Sequence, residues 1–217
     1  MRSRHDATVS YVSLQGTLSI PARANAIVVF AHGGGSWRLN YRNQQTAKAL
    51  QQAGIATLLF DLLTYGEQAD DSVTAGYRFD IPLLARRLAG TLAWLREQHD
   101  ASTLSIGLFG VSTGAAAALV ASGNLPEVRA IVSRGGRPDL AREALSLVTA
   151  PTLMIVGEFD EEAIRLNRGA AEQMACVRDL EIVRGATHLF EEPGTLETVE
   201  RLAVQWFASH LAPSRED

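Results

Sequence analysis

The chain has 217 residues, 47% of them hydrophobic and 20% charged, with a formal net charge of −4. That composition suits one globular domain that buries roughly 70% of its unfolded surface, and it excludes general disorder. No stretch concentrates Lys and Arg, which argues against a nucleic-acid partner; the single cysteine, Cys176, excludes an internal disulfide and a cysteine-based zinc site.

Read in chain order, Met1 to Asp6 lacks the apolar core of a secretory signal. Residues Thr8 to Leu14 alternate as a strand, Gly16 offers a turn, and Thr17 to Ile20 reads as a second strand closed by Pro21, together an antiparallel hairpin. The continuous run Ala26 to Ala31 is expected of a strand buried on both faces. It ends in His32-Gly-Gly-Gly35. A helix over Asn43 to Ala53 is closed by Gly54, and Ile55 to Phe60 is the next buried strand, ending at Asp61. Thr64 to Gly76 is polar and reads as a loop. A long helix is expected from Phe79 to Gln98, with Pro82 in its first turn.

The alternation then repeats. Strands are expected at Leu104 to Phe109, Val128 to Val132, Thr152 to Val156 and Leu180 to Val183. Helices are expected at Thr113 to Ser122, Asp139 to Leu147, Glu161 to Ala175 and Thr195 to Leu211. Strands alternating with helices imply a doubly wound, mostly parallel α/β sheet, eight-stranded once the hairpin is included. The whole of 1–217 is read as one domain with ends at 1–7 and 212–217 that fray. The longest apolar run, Ala115 to Ala121, is far short of the ~20 residues of a membrane span, so a soluble cytoplasmic protein with no membrane partner is expected.

One motif carries chemistry. Gly110-Val-Ser-Thr-Gly114 matches G-x-S-x-G, follows the strand Leu104 to Phe109 and opens the helix from Thr113, which is the setting of a nucleophile elbow. The sharp turn needs small neighbours and raises the Ser112 hydroxyl above the sheet edge beside a helix N-terminus. The plain alternative is a glycine-rich turn with a capping serine. A serine needs a base. Of five histidines, His5 lies in the tail, and His99 and His210 end predicted helices. His188 lies in a loop just after the last strand, on the same edge as Ser112, unless it is an ordinary surface residue. An orienting acid between the two in sequence fits Asp160, with Glu158, Glu161 and Asp139 as rivals; Asp160 could instead only cap the following helix. Oxyanion donors are expected at the backbone of Thr113 and in the triple-glycine loop, Gly34 first and Gly35 second, with His32 bracing that loop. A phosphate-cradling role for the loop is disfavoured, since no Lys-Ser/Thr follows it.

Taken together, Ala31-His-Gly-Gly-Gly-Ser36, Ala56 to Leu63, Gly110 to Gly114, Ser133 to Leu140, Ile155 to Asp160 and Ala186 to Pro193 resemble an α/β-hydrolase of the dienelactone hydrolase-like group. The resemblance runs from about residue 26 to 211. It implies the α/β-hydrolase fold, a Ser-Asp-His triad and no metal or organic cofactor. Some relatives of this group sit beside a phosphoribosyltransferase domain, and no such segment is seen here. Dienelactone hydrolases proper are expected to use a cysteine nucleophile. Here the elbow carries Ser112, and Cys176 is read as a buried helical residue.

Only about twenty residues separate Val132 from Thr152, too few for a cap domain. A shallow, open site is therefore expected, walled by Trp37, Tyr65, Arg134 and Phe190. Each of these has a bland alternative as packing or surface. Arg134 either pairs with a substrate carboxylate or salt-bridges Asp61 or Glu67. The reading is a monomeric or homodimeric serine hydrolase of small carboxylic esters. Lactone or organophosphate cleavage on the same triad is the alternative, as is a catalytically silent binding protein.

Overall fold

The run Ala26–Ala31 forms strand β3, and every one of its side chains is buried. Period-two alternation divides them between two cores: Ile27, Val29 and Ala31 face one side of the sheet, and Ala26, Val28 and Phe30 the other. Around this strand a computed structural model of the chain describes residues 2–9, 12–33 and 37–212.

The elements that follow are α1 (Tyr41–Gln52), β4 (Ala56–Phe60), α2 (Tyr65–Thr74), α3 (Ile81–Arg96), β5 (Ser105–Val111), α4 (Thr113–Ser122), β6 (Val128–Arg134), β7 (Thr152–Gly157), α5 (Glu161–Gln173), β8 (Arg178–Val183) and α6 (Thr195–His210). A hairpin of β1 (Arg2–Val9) and β2 (Val12–Ser19) precedes them. The strands form one eight-stranded sheet in the order β1-β2-β4-β3-β5-β6-β7-β8. The pairs β1–β2 and β2–β4 are antiparallel, and all others are parallel. Helices α3 and α4 pack on one face and α1 with α6 on the other, the doubly wound arrangement expected. The strand order reverses at β3, whose neighbours are β4 and β5, and loops that diverge at such a point leave a crevice at the carboxyl edge. Among the described residues no helix is long and apolar enough to cross a membrane.

Several boundaries differ from the sequence reading. Gly16 is not a turn: it lies inside β2, paired with Phe60 of β4. It shares one face of the pleat with the buried Leu14 and Leu18. The hairpin register pairs Val9 with Val12, and residues 10 and 11 lie outside the described residues. Thr64 to Gly76 is not a loop but holds α2, nucleated by a capping box in which Thr64 and Glu67 bond each other's backbone N–H. Helix α3 begins at Ile81 because Asp80 caps it, accepting from the N–H of Leu83 at 2.9 Å. The segment Pro138–Leu147 is a 3₁₀ stretch broken at Arg142 (φ 49°) and not a helix from Asp139. Cys176 follows α5, and burial pushes its thiol pKa up.

Glu67 ties α2 to the core. Its carboxylate takes two hydrogen bonds at 2.6 Å from the Arg87 guanidinium, which also donates to the Leu62 carbonyl. The Arg87 contact, ahead of the Thr64 bonds, holds the Glu67 carboxyl at about 2 against an ordinary 4.5. A depressed carboxylate stabilises the fold fully above its unfolded value and loses that contribution as pH falls through the folded one. Unfolding midpoints in urea should therefore drop between pH 4.5 and 2. In Glu67→Gln this part of the pH dependence should vanish, and an unchanged profile would refute the assignment.

Candidate active site

Strand β5 ends and α4 begins at Ser112, whose backbone is forced to φ 52° and ψ −123°. A non-glycine residue there carries strain of order 1–3 kcal/mol, held only if the surroundings fix it. They do so from both sides. The Ser112 N–H donates to the Arg134 carbonyl at 3.3 Å, and the Ser112 carbonyl accepts from Arg137 N–H at 3.0 Å and Ala115 N–H at 3.1 Å. The flanking glycines are required by space: a Cβ on Gly110 would stand 2.4 Å from Ala115 Cα, and one on Gly114 2.1 Å from the Ala31 carbonyl oxygen. Thr113 is the first residue of α4, where backbone N–H groups lack partners within the helix.

His188 lies in the loop after β8 with its side chain 48% exposed. Its Nδ1 stands 2.5 Å from Asp160 Oδ2, its one hydrogen bond among the described residues. Asp160 also caps α5, its Oδ1 accepting from Ala163 N–H at 3.2 Å, so the contact with His188 and the helix cap coexist on its two oxygens. Two of the rival acids are engaged elsewhere: Glu158 accepts from Gly185 N–H, and Asp139 pairs with Arg137. Ser112 and His188 each stand against the short segment 134–137 at the end of β6. Gly135 follows Arg134, the residue whose carbonyl holds Ser112, and a Cβ on Gly135 would stand 3.4 Å from His188 Cε1. The sequence reading used this segment for the family resemblance and for Arg134, but gave Gly135 and Gly136 no role of their own, and it missed Asn167, whose buried amide donates to the Gly136 carbonyl at 3.0 Å. The paired glycines 135 and 136 just past a strand were the available signal.

On the other side of Ser112 stands Gly33. A Cβ there would meet Ser112 Cβ at 2.7 Å and Oγ at 3.3 Å, so only glycine lets this backbone approach the hydroxyl. Gly34 and Gly35, the proposed donors, lie outside the described residues. His32 braces the loop: its Nε2 accepts from Leu62 N–H at 3.1 Å, leaving the proton on Nδ1 to donate to the Gly33 carbonyl at 3.1 Å. Burial lowers its pKa, which keeps the ring neutral. Asp61, also buried, accepts from Arg38 N–H at 2.8 Å and pairs with the Arg38 guanidinium.

Two pocket assignments are corrected. Phe190 is 2% exposed and packs in the α1/α6 core, turned inward by a left-handed φ of 54°. Arg134 is equally buried, and it salt-bridges neither Asp61, taken by Arg38, nor Glu67, taken by Arg87. Its guanidinium donates to Asn43 Oδ1 at 3.1 Å and lies over the Phe109 ring at 5.8 Å. Burial, with Arg42 nearby, lowers its pKa to about 10. Trp37 and Tyr65 line a cleft of about 560 Å³ together with Arg38, Asp61 and Leu63. Among the described residues no three His, Cys, Asp or Glu side chains are grouped to hold a metal.

Comparisons with known proteins agree with this architecture. A protein of Mycobacterium tuberculosis (strain H37Rv), provisionally named a phosphoribosyl transferase, is 51% identical over 201 residues. The match covers 92% of this chain and 44% of that one, so the chain spans under half the length of the curated relatives it matches. The crystal structure of a dienelactone hydrolase from Anabaena variabilis is 51% identical, covers 97% of this chain and 99% of its own, and superposes with a TM-score of 0.93. Est1E from Butyrivibrio proteoclasticus, 14% identical over 97% of this chain and 99% of its own, shares the fold at a TM-score of 0.79. Residues 14–208 match the sequence model of the dienelactone hydrolase family, and this chain, an α/β-hydrolase in fold, belongs to that family.

Proposed function

We propose that the protein hydrolyses small carboxylic esters through an acyl-enzyme on Ser112. The observation that carries this reading is the strained Ser112 elbow standing on one sheet edge with the Asp160–His188 pair. As Ser112 Oγ attacks the ester carbonyl, His188 Nε2 takes its proton. Asp160, bonded to Nδ1–H, fixes the tautomer and supports the imidazolium. The oxyanion is held by Thr113 N–H and a backbone N–H of Gly34 or Gly35, at about 3 kcal/mol per donor. His188 then gives the proton to the leaving alcohol. Water, deprotonated by His188 in turn, cleaves the acyl-enzyme and restores Ser112. The transferase name belongs to a mycobacterial chain of which this one matches 44%, whereas the residues used here all lie within the segment matching the dienelactone hydrolase family.

Incubation with a fluorophosphonate probe tests the assignment. Mass spectrometry should find one adduct per chain, on the peptide containing Ser112. An unmodified Ser112 under conditions that label a control serine hydrolase would leave a hydrolase-fold binding protein as the better reading.

A further inference from the structure

The cleft of about 560 Å³ falls within the roughly 300–1,000 Å³ of small-molecule sites, and Gln15, Trp37, Leu39, Leu63, Tyr65 and Gln68 are among its walls. Three of these present large apolar surface outward: Trp37 is 38% exposed, Leu39 58% and Tyr65 88%. Clustered apolar exposure of this kind marks a ligand or partner site. The charged lining is already paired. Asp61 is neutralised by Arg38, and the Gln68 amide donates to the Leu63 carbonyl at 2.9 Å. The cleft therefore offers flat aromatic and aliphatic walls and no free charge for an ionised group.

Its position relative to the nucleophile sets which part of an ester it can hold. The walls come from β2, the segment before α1 and the β4–α2 junction, whereas Asp160 follows β7 and His188 follows β8. Ser112, at the end of β5, stands between the two sides. Strand β4 lies two places from β5, about 10 Å away. Gly33, packed on Ser112, is four residues before Trp37, a reach of at most about 14 Å. His188 must protonate the leaving alcohol, so the alcohol departs on the β7–β8 side. The acyl group is then the part free to extend toward β4 and β2. Resting on the ester-hydrolase reading above, we infer that this cleft is the acyl-specificity pocket and that it selects uncharged aryl-alkanoyl groups, with Trp37 and Tyr65 as the specificity-determining side chains.

Two substrate series separate acyl from alcohol recognition. With 4-nitrophenol as the constant leaving group, kcat/KM for the 3-phenylpropanoate should exceed that for the acetate by about tenfold, the effect of one well-packed aromatic ring. In Trp37→Ala and in Tyr65→Ala that ratio should collapse toward one. Tyr65 is on the surface, so its variant carries the test even if Trp37→Ala folds poorly. With acetate as the constant acyl group, the ratio between 2-naphthyl and phenyl esters should be unmoved by either variant. Discrimination that moves in the alcohol series, or an acyl ratio near one in the unmodified protein, overturns the inference while leaving ester hydrolysis intact. If no ester is turned over and Ser112 is not labelled, the hydrolase reading has failed, and the cleft is then judged by binding alone. Neutral 3-phenylpropanamide should quench tryptophan fluorescence saturably in Ser112→Ala and lose that signal when Trp37→Phe is added; absence of quenching overturns the pocket as well.

Discussion

Ser112→Ala is expected to lower 4-nitrophenyl acetate turnover by a factor on the order of 10⁴–10⁶, the range lost when a nucleophile of this kind is removed. The loss should be chemical and not structural. The bonds that hold the elbow use the Ser112 N–H and carbonyl, which alanine keeps, and the hydroxyl makes no helix-capping bond. Alanine pays much the same backbone strain at φ 52° as serine does. Circular dichroism and the thermal midpoint should accordingly match the unmodified protein while the initial rate collapses. A variant that folds and still turns over ester within tenfold of the native rate would remove Ser112 from the reaction. Fluorophosphonate labelling and this rate loss should agree, since both read the same oxygen.

How much of this was legible in the sequence depended on whether the signal was local. The central strands were, because a strand buried on both faces must be an uninterrupted apolar run, as in Ala26–Ala31 and Ala56–Phe60. The elbow was legible because G-x-S-x-G sits between such a run and a helix. Helix α2 was missed although its capping box, Thr64 to Glu67, is written in the sequence; the polar run around it read as loop. The hairpin was misregistered because a glycine inside a strand looks like one in a turn. Other errors had no local signal. Arg134 and Ser133 are neighbours, and which of them faces Phe109 is decided by the pleat. The two carboxylates expected to pair with Arg134, Asp61 and Glu67, are taken by Arg38 and by Arg87, which come from different elements. Phe190 turns into the core through a left-handed backbone that its residue type disfavours. Gly33, which the sequence reading gave no role, stands against Ser112, because packing and not spacing sets which backbone approaches the hydroxyl.

The same packing makes Gly114→Ala the substitution with the largest expected effect on stability. An added Cβ would lie 2.1 Å from the Ala31 carbonyl oxygen, 2.6 Å from its carbon and 2.7 Å from the His32 carbonyl oxygen. All three are backbone atoms at the end of a central strand paired on both sides, so no side chain can swing away to make room. Helix α4 and β3 must part, at a cost of about 3 kcal/mol or more. For a chain of this length that lowers the thermal midpoint by roughly 6–12 °C. Gly66→Ala supplies the contrast: it lies in α2 with nothing within 4 Å of the added carbon, and helix propensity should make it neutral or slightly stabilising. Midpoints for the two variants that fall within 2 °C of each other would refute the contact. The separation of α4 from β3 would also displace the Thr113 N–H from Gly33, the two backbone segments that flank the Ser112 hydroxyl. Any Gly114→Ala protein that stays folded should therefore lose ester turnover well below its melting point, since the tight helix–strand contact that stabilises the sheet is also what brings these two segments together over one oxygen.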